Sequence, residues 1–315
     1  MQPYISIVTP LFNQPDKIGT FIESIKAQTC DDLEVIVVDD GSTDDSLKVL
    51  MEAVKGDDRF KVVVHEKNGS VLAARKDGLS AACGKYLIFV DIDDYLDKET
   101  IGFLKGELER EPVDVLGYGI TYEPKGEVHL PPHRDDYLKA ILTNDTKPSL
   151  MYFAFNMDIC KKAVPYIKDG YCNMAEDLYI AVILHYLAKS YRFTDRPLYH
   201  YNVGEGMSNG TANLSEEKLK RQVSHIDFSI NSIIEFLQDK KPEYVGYLKD
   251  LRTDLLYGTI YQYGGLETSW SKFIHYMEIL NTEENEDFTE RVCMDFIPLR
   301  ADYYKNHPEV KGGKA

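Results

Sequence analysis

Apolar residues fall into two alternating rhythms over the first 120 positions. Tyr4–Thr9, Leu33–Val38, Lys61–His65 and Tyr86–Val90 are short runs with the length and β-branched character of strands. The unbroken LEVIVV of 33–38 is what a strand buried on both faces requires. Between them, Asp16–Gln28 sets Ile18, Phe21, Ile22 and Ile25 at helical spacing. Asp44–Lys55 does the same with Leu47, Leu50, Met51 and Val54, and Ser70–Ala82 reads as an alanine-rich helix. A helix over Lys98–Glu109 and a strand at Asp114–Tyr118 follow. Alternation with connections this short predicts parallel βαβ units, hence an α/β fold with a mainly parallel, doubly wound sheet flanked by helices.

Beyond residue 120 the rhythm loosens. Residues 123–133, rich in proline and glycine, read as a loop, and Met174–Leu187 as a helix. Arg196–Gly210, with Gly204, Gly206 and Gly210, reads as a mobile loop. From Asn213 onward the pattern is helical. Leu219, Val223, Ile226, Ile230, Ile233 and Leu237 step by three and four, and Tyr244, Leu248, Leu251 and Leu255 repeat that step after Pro242. The closing HPEVKGGKA is expected to be disordered.

Composition narrows the function by exclusion. At 43% hydrophobic and 28% charged residues the chain has an ordinary globular balance, but its formal net charge is −16. That charge argues against nucleic-acid binding and against charge-driven docking on anionic lipid. An anionic substrate would therefore need a cation or a few local basic side chains. Cys30, Cys83, Cys160, Cys172 and Cys293 show no CxxC spacing and are expected as reduced thiols. The N-terminus has no signal-peptide pattern and no apolar run is long enough to span a bilayer, so a cytoplasmic location is expected, with peripheral membrane attachment left open.

Ligands of open parallel sheets bind beyond the carboxyl ends of the strands. The loops there are Pro10-Leu11-Phe12-Asn13, Asp39-Asp40-Gly41-Ser42-Thr43-Asp44, Glu66-Lys67-Asn68-Gly69 and Asp91-Ile92-Asp93-Asp94. The last leaves the apolar strand YLIFV. Crowded carboxylates either solvate separately or share a cation, and hard oxygen ligands suit Mg²⁺ or Mn²⁺ bridging to phosphate oxygens. Such an ion would let an acidic protein hold a diphosphate. The plainer account is a solvated turn whose aspartate caps the next helix, a role that suits Asp94. In the second loop, Gly41 through Asp44 are explained as a turn and helix cap. Asp39 and Asp40 are not, and a carboxylate there could accept the imide N–H of uracil, which cytosine lacks.

No G-x-G-x-x-G follows the first strand and no GxxxxGK[ST] occurs, which sets aside dinucleotide oxidoreductases and P-loop NTPases. Pro131 and Pro132 forbid a helix that would pair His129 with His133 on a metal. A phosphatase or phosphotransferase of the haloacid dehalogenase class also ends an apolar strand in DxD. It wants Thr or Val where this chain has Tyr95, and a place near the first strand.

SIVTPLFN, SIKAQTCDDLEVIVVDDGSTDDS, LAARKDGLSAACGKYLIFVDIDDYL and AEDLYI together resemble family 2 of the inverting glycosyltransferases, with the GT-A fold. The likeness is dense over residues 4–110 and thins toward 210. It implies a GT-A-like catalytic domain over 1–212, with a nucleotide-binding half to about residue 120 and an acceptor half after it, then a helical C-terminal region over 213–315. By the same resemblance Asp40 would hydrogen-bond uracil, with Pro10 and Asn13 beneath the nucleoside and Arg75 facing the nucleotide. Asp93 would bind the metal, with Asp91 near the ribose or the cation, and Asp177 would be the catalytic base with Glu176 as reserve.

The implied partners are a UDP-sugar donor, a divalent cation and a glycan or lipid-linked acceptor. The helical tail leaves room for a homodimer, peripheral membrane contact or packing on the catalytic domain. A catalytically silent sugar-binding module on the same fold is the remaining rival. One departure stands out. Relatives often end an aromatic run in arginine, whereas Leu198-Tyr199-His200-Tyr201 is followed here by Asn202. His200, or basic residues of the 196–210 loop, would have to replace it.

Overall fold

The structure is a computed structural model that describes residues 2–203 and 215–264, together with 274–277, 292, 297, 301, 302 and 305. It divides into two compact units, residues 1–209 and 210–315.

The first unit begins with β1 (Ile5–Leu11), α1 (Ile18–Lys26), β2 (Leu33–Asp39), α2 (Ser46–Ala53), β3 (Phe60–Val64), α3 (Val71–Ala81) and β4 (Tyr86–Phe89). It continues with β5 (Tyr95–Leu96), α4 (Thr100–Arg110), β6 (Val115–Glu123), β7 (Glu127–His129) and α5 (Tyr137–Leu142). β8 (Phe153–Asn156), α6 (Met157–Ala163), α7 (Glu176–Leu187) and β9 (Tyr191–Asn202) complete it. The sheet order is β3-β2-β1-β4-β8-β6-β9-β5, with β7 paired to β6.

The first four strands pair in parallel, Ile5 against Leu33 and Tyr86, and Val35 against Phe60. Every residue of β2 is buried, including Glu34, whose carboxylate accepts from Ser6 Oγ and Lys61 Nζ, each at 2.6 Å. Helix α3 lies close on β1 because Gly78 has no side chain; a Cβ there would stand 2.4 Å from Val8 Cγ1. That close approach is what brings Arg75, one turn earlier on α3, to the sheet edge.

Past β4 the sheet departs from simple parallel winding. β8 runs antiparallel to both β4 and β6, and only β6 with β9 restores a parallel pair. Two loop expectations are corrected here. Within 123–133, Glu127–His129 forms a hairpin strand against Ile120–Tyr122. Within 196–210, β9 runs to Asn202, paired along β6 and, at Tyr199 and His200, to β5. Pro197 is tolerated because the β6–β9 register shifts around Gly119, its partner. The rest of that loop and the terminal HPEVKGGKA lie outside the described residues.

In the second unit, Ser215 Oγ caps α8 (Glu216–Leu237) by accepting the Lys218 N–H at 3.1 Å. Leu219, Ile226, Ile230, Ile233 and Leu237 form its buried stripe. After the short α9 (Pro242–Val245), α10 (Tyr247–Gly264) packs on α8, and Arg252 Nε donates to Asp227 at 2.7 Å. Among the described residues no helix is long and apolar enough to cross a membrane.

Candidate active site

The ends of β1, β2 and β4 and the first turns of α3 and α7 converge through hydrogen bonds at one edge of the sheet. Asn13, with φ of 51°, ties the loop after β1 to the loop after β2. Its backbone N–H donates to Ser42 Oγ at 3.1 Å, and its side chain exchanges bonds with Thr43. Gly41 turns that loop at φ of 70°, where a Cβ would stand 2.6 Å from the Lys67 backbone. Pro10, half-buried, sits one residue before the end of β1, opposite Val38.

Asp40 is buried and organises the loop after β3. Its Oδ1 accepts the Gly69 N–H and its Oδ2 the Ser70 N–H, both at 2.8 Å, and His65 Nδ1 lies 2.7 Å from Oδ1. His65 Nε2 in turn lies 3.0 Å from Asp77. These partners were invisible in sequence spacing, because they join segments 25–30 residues apart.

Asp91, Asp93 and Asp94 place carboxylate oxygens within 4.8 Å of one another. Such a set of hard oxygen donors fits a small divalent cation. The three carboxylates are not equivalent. Asp91 and Asp93 are half-buried, whereas Asp94 is 1% exposed, accepting the Tyr199 hydroxyl at 2.6 Å and the Asn202 N–H at 2.8 Å. Burial, with the Asp91 and Asp93 charges, pushes the Asp94 carboxyl up to about 8. The capping expectation for Asp94 is therefore corrected: it fastens β9 to the acidic turn. Tyr199 also accepts the Asp91 N–H at 3.2 Å, and Asn202 Nδ2 donates to the Asp93 carbonyl.

Arg75, expected to face the nucleotide, lies buried between two acidic groups. Nη2 reaches Asp91 Oδ1 at 2.9 Å and Nη1 reaches Glu176 Oε1 at 2.7 Å. Glu176 and Asp177 open α7, and the preceding Ala175 adopts the left-handed conformation, φ 60°. A non-glycine residue there is strained, a feature of functional turns. Burial pushes Glu176 up to about 7 against the pull of Arg75, and burial likewise raises the half-buried Asp177.

Buried Thr9 Oγ1, Asp39 Oδ1, Asn68 Oδ1 and Arg75 Nε have no partner. Unsatisfied polar atoms are rare in native interiors, and these four fit polar groups that a ligand at this edge could engage. The residues proposed to replace the missing arginine are otherwise engaged. His200 stacks on Tyr95 and contacts Glu123 at 3.0 Å, while Arg196 pairs with Glu99 above the Phe103 ring. A cavity of about 440 Å³ against Tyr4, Lys85 and Lys161 lies at the opposite edge, where β1 and β4 begin.

The family described as glycosyl transferase family 2 matches residues 6–172. EpsH of Bacillus subtilis, a protein assigned to the glycosyltransferases, is 27% identical over 213 residues, covering 64% of this chain and 61% of that protein. A poly(ribitol-phosphate) beta-glucosyltransferase of Bacillus spizizenii is 40% identical over 100 residues, 31% of this chain and 16% of that protein. The chain thus spans less than two thirds of the length of these curated relatives. Among solved structures, S. aureus TarS 1-349 in complex with UDP-GlcNAc aligns with a TM-score of 0.59 at 19% identity, covering 92% of each chain. The mannosyltransferase PcManGT from Pyrobaculum calidifontis, in complex with GDP-Man and Mn²⁺, aligns with a TM-score of 0.52 at 15% identity, covering 96% of this chain and 87% of that one. The mixed sheet with its helical flanks is the GT-A architecture of these enzymes.

Proposed function

The chain belongs to glycosyl transferase family 2, and on that premise we propose that it moves a sugar from a UDP-sugar to a hydroxyl of a glycan or lipid-linked acceptor, with inversion and with the help of Mn²⁺ or Mg²⁺. The observation that carries this reading is the placement of Asp177. It opens α7 beside Glu176, which Arg75 ties to Asp91 of the acidic turn. A proton acceptor and a candidate cation site are thereby linked through one buried guanidinium.

In this reading Pro10 and Asn13 support the nucleoside, and the Asp40 Oδ2 lone pair beyond Ser70 takes the uracil imide N–H. Asp91 and Asp93 would hold the cation, which when bound supplies positive charge to the departing diphosphate. Asp94, already engaged by Tyr199 and Asn202, keeps the turn in place. Asp177 takes the proton of the acceptor hydroxyl as its oxygen attacks the anomeric carbon. The bond from that carbon to the phosphate oxygen breaks on the opposite face, and the raised affinity of Asp177 for a proton favours the transfer. Attack opposite the leaving group inverts the centre.

The UDP-GlcNAc held by the S. aureus neighbour and the Mn²⁺ held by the archaeal one support a nucleotide-sugar donor and a divalent ion. The reaction is proposed for the cytoplasm, and a lipid-linked acceptor would bring the protein to the membrane surface. Family membership removes the haloacid dehalogenase reading. Incubation with UDP-glucose, UDP-galactose and UDP-N-acetylglucosamine, with water or an added monosaccharide hydroxyl taking the sugar, tests the proposal. UDP release from at least one donor, abolished by EDTA and restored by Mn²⁺, is expected. No release from any of them would overturn it.

A further inference from the structure

A second cavity, of about 360 Å³, opens on the acceptor side of the sheet between the β6–β7 hairpin and the segment after α5. Because β8 is antiparallel to both β4 and β6, β6 runs parallel to β4. Its C-terminal end therefore emerges at the same edge as Asp91. The Tyr122 ring near that end lies 4.2 Å from the His129 ring and 5.0 Å from the Tyr201 ring, centroid to centroid. Its hydroxyl is 3.3 Å from that of Tyr152. Asn202, next to Tyr201, donates to Asp94. The cavity wall is thus joined to the acidic turn through Tyr122 and the end of β9.

The lining divides by chemistry. His129 and Pro132 present rings over a floor of the buried Tyr137 and Tyr152, while Asn144 and Lys147 provide polar groups. Asp145 is committed to Arg134 through two hydrogen bonds, so it neutralises that arginine rather than the exposed Lys147. A pyranose has an apolar C–H face and a rim of hydroxyls, which matches ring walls with a few polar groups at the edge. The volume falls within the roughly 300–1,000 Å³ typical of small-ligand sites.

We propose that this cavity is a saccharide subsite that holds a sugar unit of the acceptor. The assignment rests on the glycosyltransferase reading above for its role, but the binding itself is separable from it. Saturation-transfer NMR on the full chain with glucose, galactose, N-acetylglucosamine and glucuronate tests it. At least one sugar should give a signal, weakened about fivefold by Lys147→Ala and by His129→Ala, as loss of one hydrogen bond or ring contact predicts. UDP affinity, measured by calorimetry, should not change in either variant. Because Lys147 is exposed, its variant keeps the test valid if His129→Ala fails to fold. No signal from any of these sugars, or a signal unchanged in both variants, overturns the subsite. Sugar binding without any UDP binding would instead overturn the transferase reading and leave the subsite standing.

Discussion

Arg75 and Glu176, 101 residues apart, form a buried ion pair 2.7 Å long. The same guanidinium holds Asp91 at 2.9 Å, so one side chain of α3 fastens the first turn of α7 to the acidic turn after β4. Burial works against the charges of Arg75 and Glu176; for Arg75 the attraction of Asp91, Glu176 and Asp177 outweighs it and holds the guanidinium above its ordinary range, whereas for Glu176 burial outweighs the pull of Arg75. The arrangement makes the geometry of the proposed base depend on a residue outside its own helix.

Removing that arginine should therefore cost more than a surface charge would. Arg75→Met leaves two carboxylates without their cation, and breaking a buried pair in this way typically costs about 3–5 kcal/mol. Urea unfolding should show a lowered midpoint, and transfer should fall with it. A midpoint equal to that of the unsubstituted protein would contradict the bridging role.

Asp177→Asn tests the base directly. An amide cannot accept the acceptor's proton, and general-base contributions are about 10²–10⁴-fold, so turnover should drop by that order. UDP affinity should persist, since Asp177 contacts neither the nucleoside loops nor the Asp93 side of the acidic turn in the bonds described. Full turnover in the variant would move the base elsewhere, with Glu176 the first alternative.

The acidic turn should make stability depend on pH in a defined direction. Asp94 is pushed up to about 8 and Glu176 to about 7, both above the ordinary carboxylate range near 4. Protons are thus bound more tightly in the folded state, so the stability they contribute is complete at low pH and is lost as pH rises through 7 to 8. Metal-free protein should melt at progressively lower temperature from pH 6 to about 9, and Asp94→Asn should flatten the decline. Mn²⁺ favours the ionised carboxylates, so its stabilising effect should grow over the same window. A melting temperature independent of pH there would contradict the assignment.

Tyr199→Phe isolates the link between β9 and the acidic turn. It removes the donor to Asp94 Oδ2 and the acceptor of the Asp91 N–H while keeping the ring. Leaving buried partners unsatisfied costs about 1–3 kcal/mol, measurable by urea unfolding, and Mn²⁺ affinity should weaken with it. No change in either quantity would show that Tyr199 does not hold the turn.

The parallel first half of the sheet was legible in the sequence because β1, β2 and β4 are short, mostly apolar runs buried on both faces, with the edge strand β3 recognisable from its three consecutive valines. LEVIVV at 33–38 has no other economical explanation. β8 was not legible: four residues, FAFN, are too few to carry a period, and their place between β4 and β6 depends on pairings far along the chain. β9 was hidden by Pro197 and by its mixed polar and aromatic residues, which read as loop until β6 supplies a partner. The loops bearing the site were visible as clusters of carboxylates at strand ends. The bonds among them were not, since Arg75 meets Asp91 and Glu176 across 16 and 101 residues. Sequence gives an arginine on a helix face; only Gly78 packed on Val8 brings that face to the sheet edge.

Calorimetric titration of the protein with UDP, CDP and GDP, each with and without Mn²⁺, tests the central claim most directly. The account predicts that UDP binds in preference to CDP and GDP, and that its affinity rises sharply when Mn²⁺ is present. Binding of equal strength without the metal, or no preference for UDP, would contradict it.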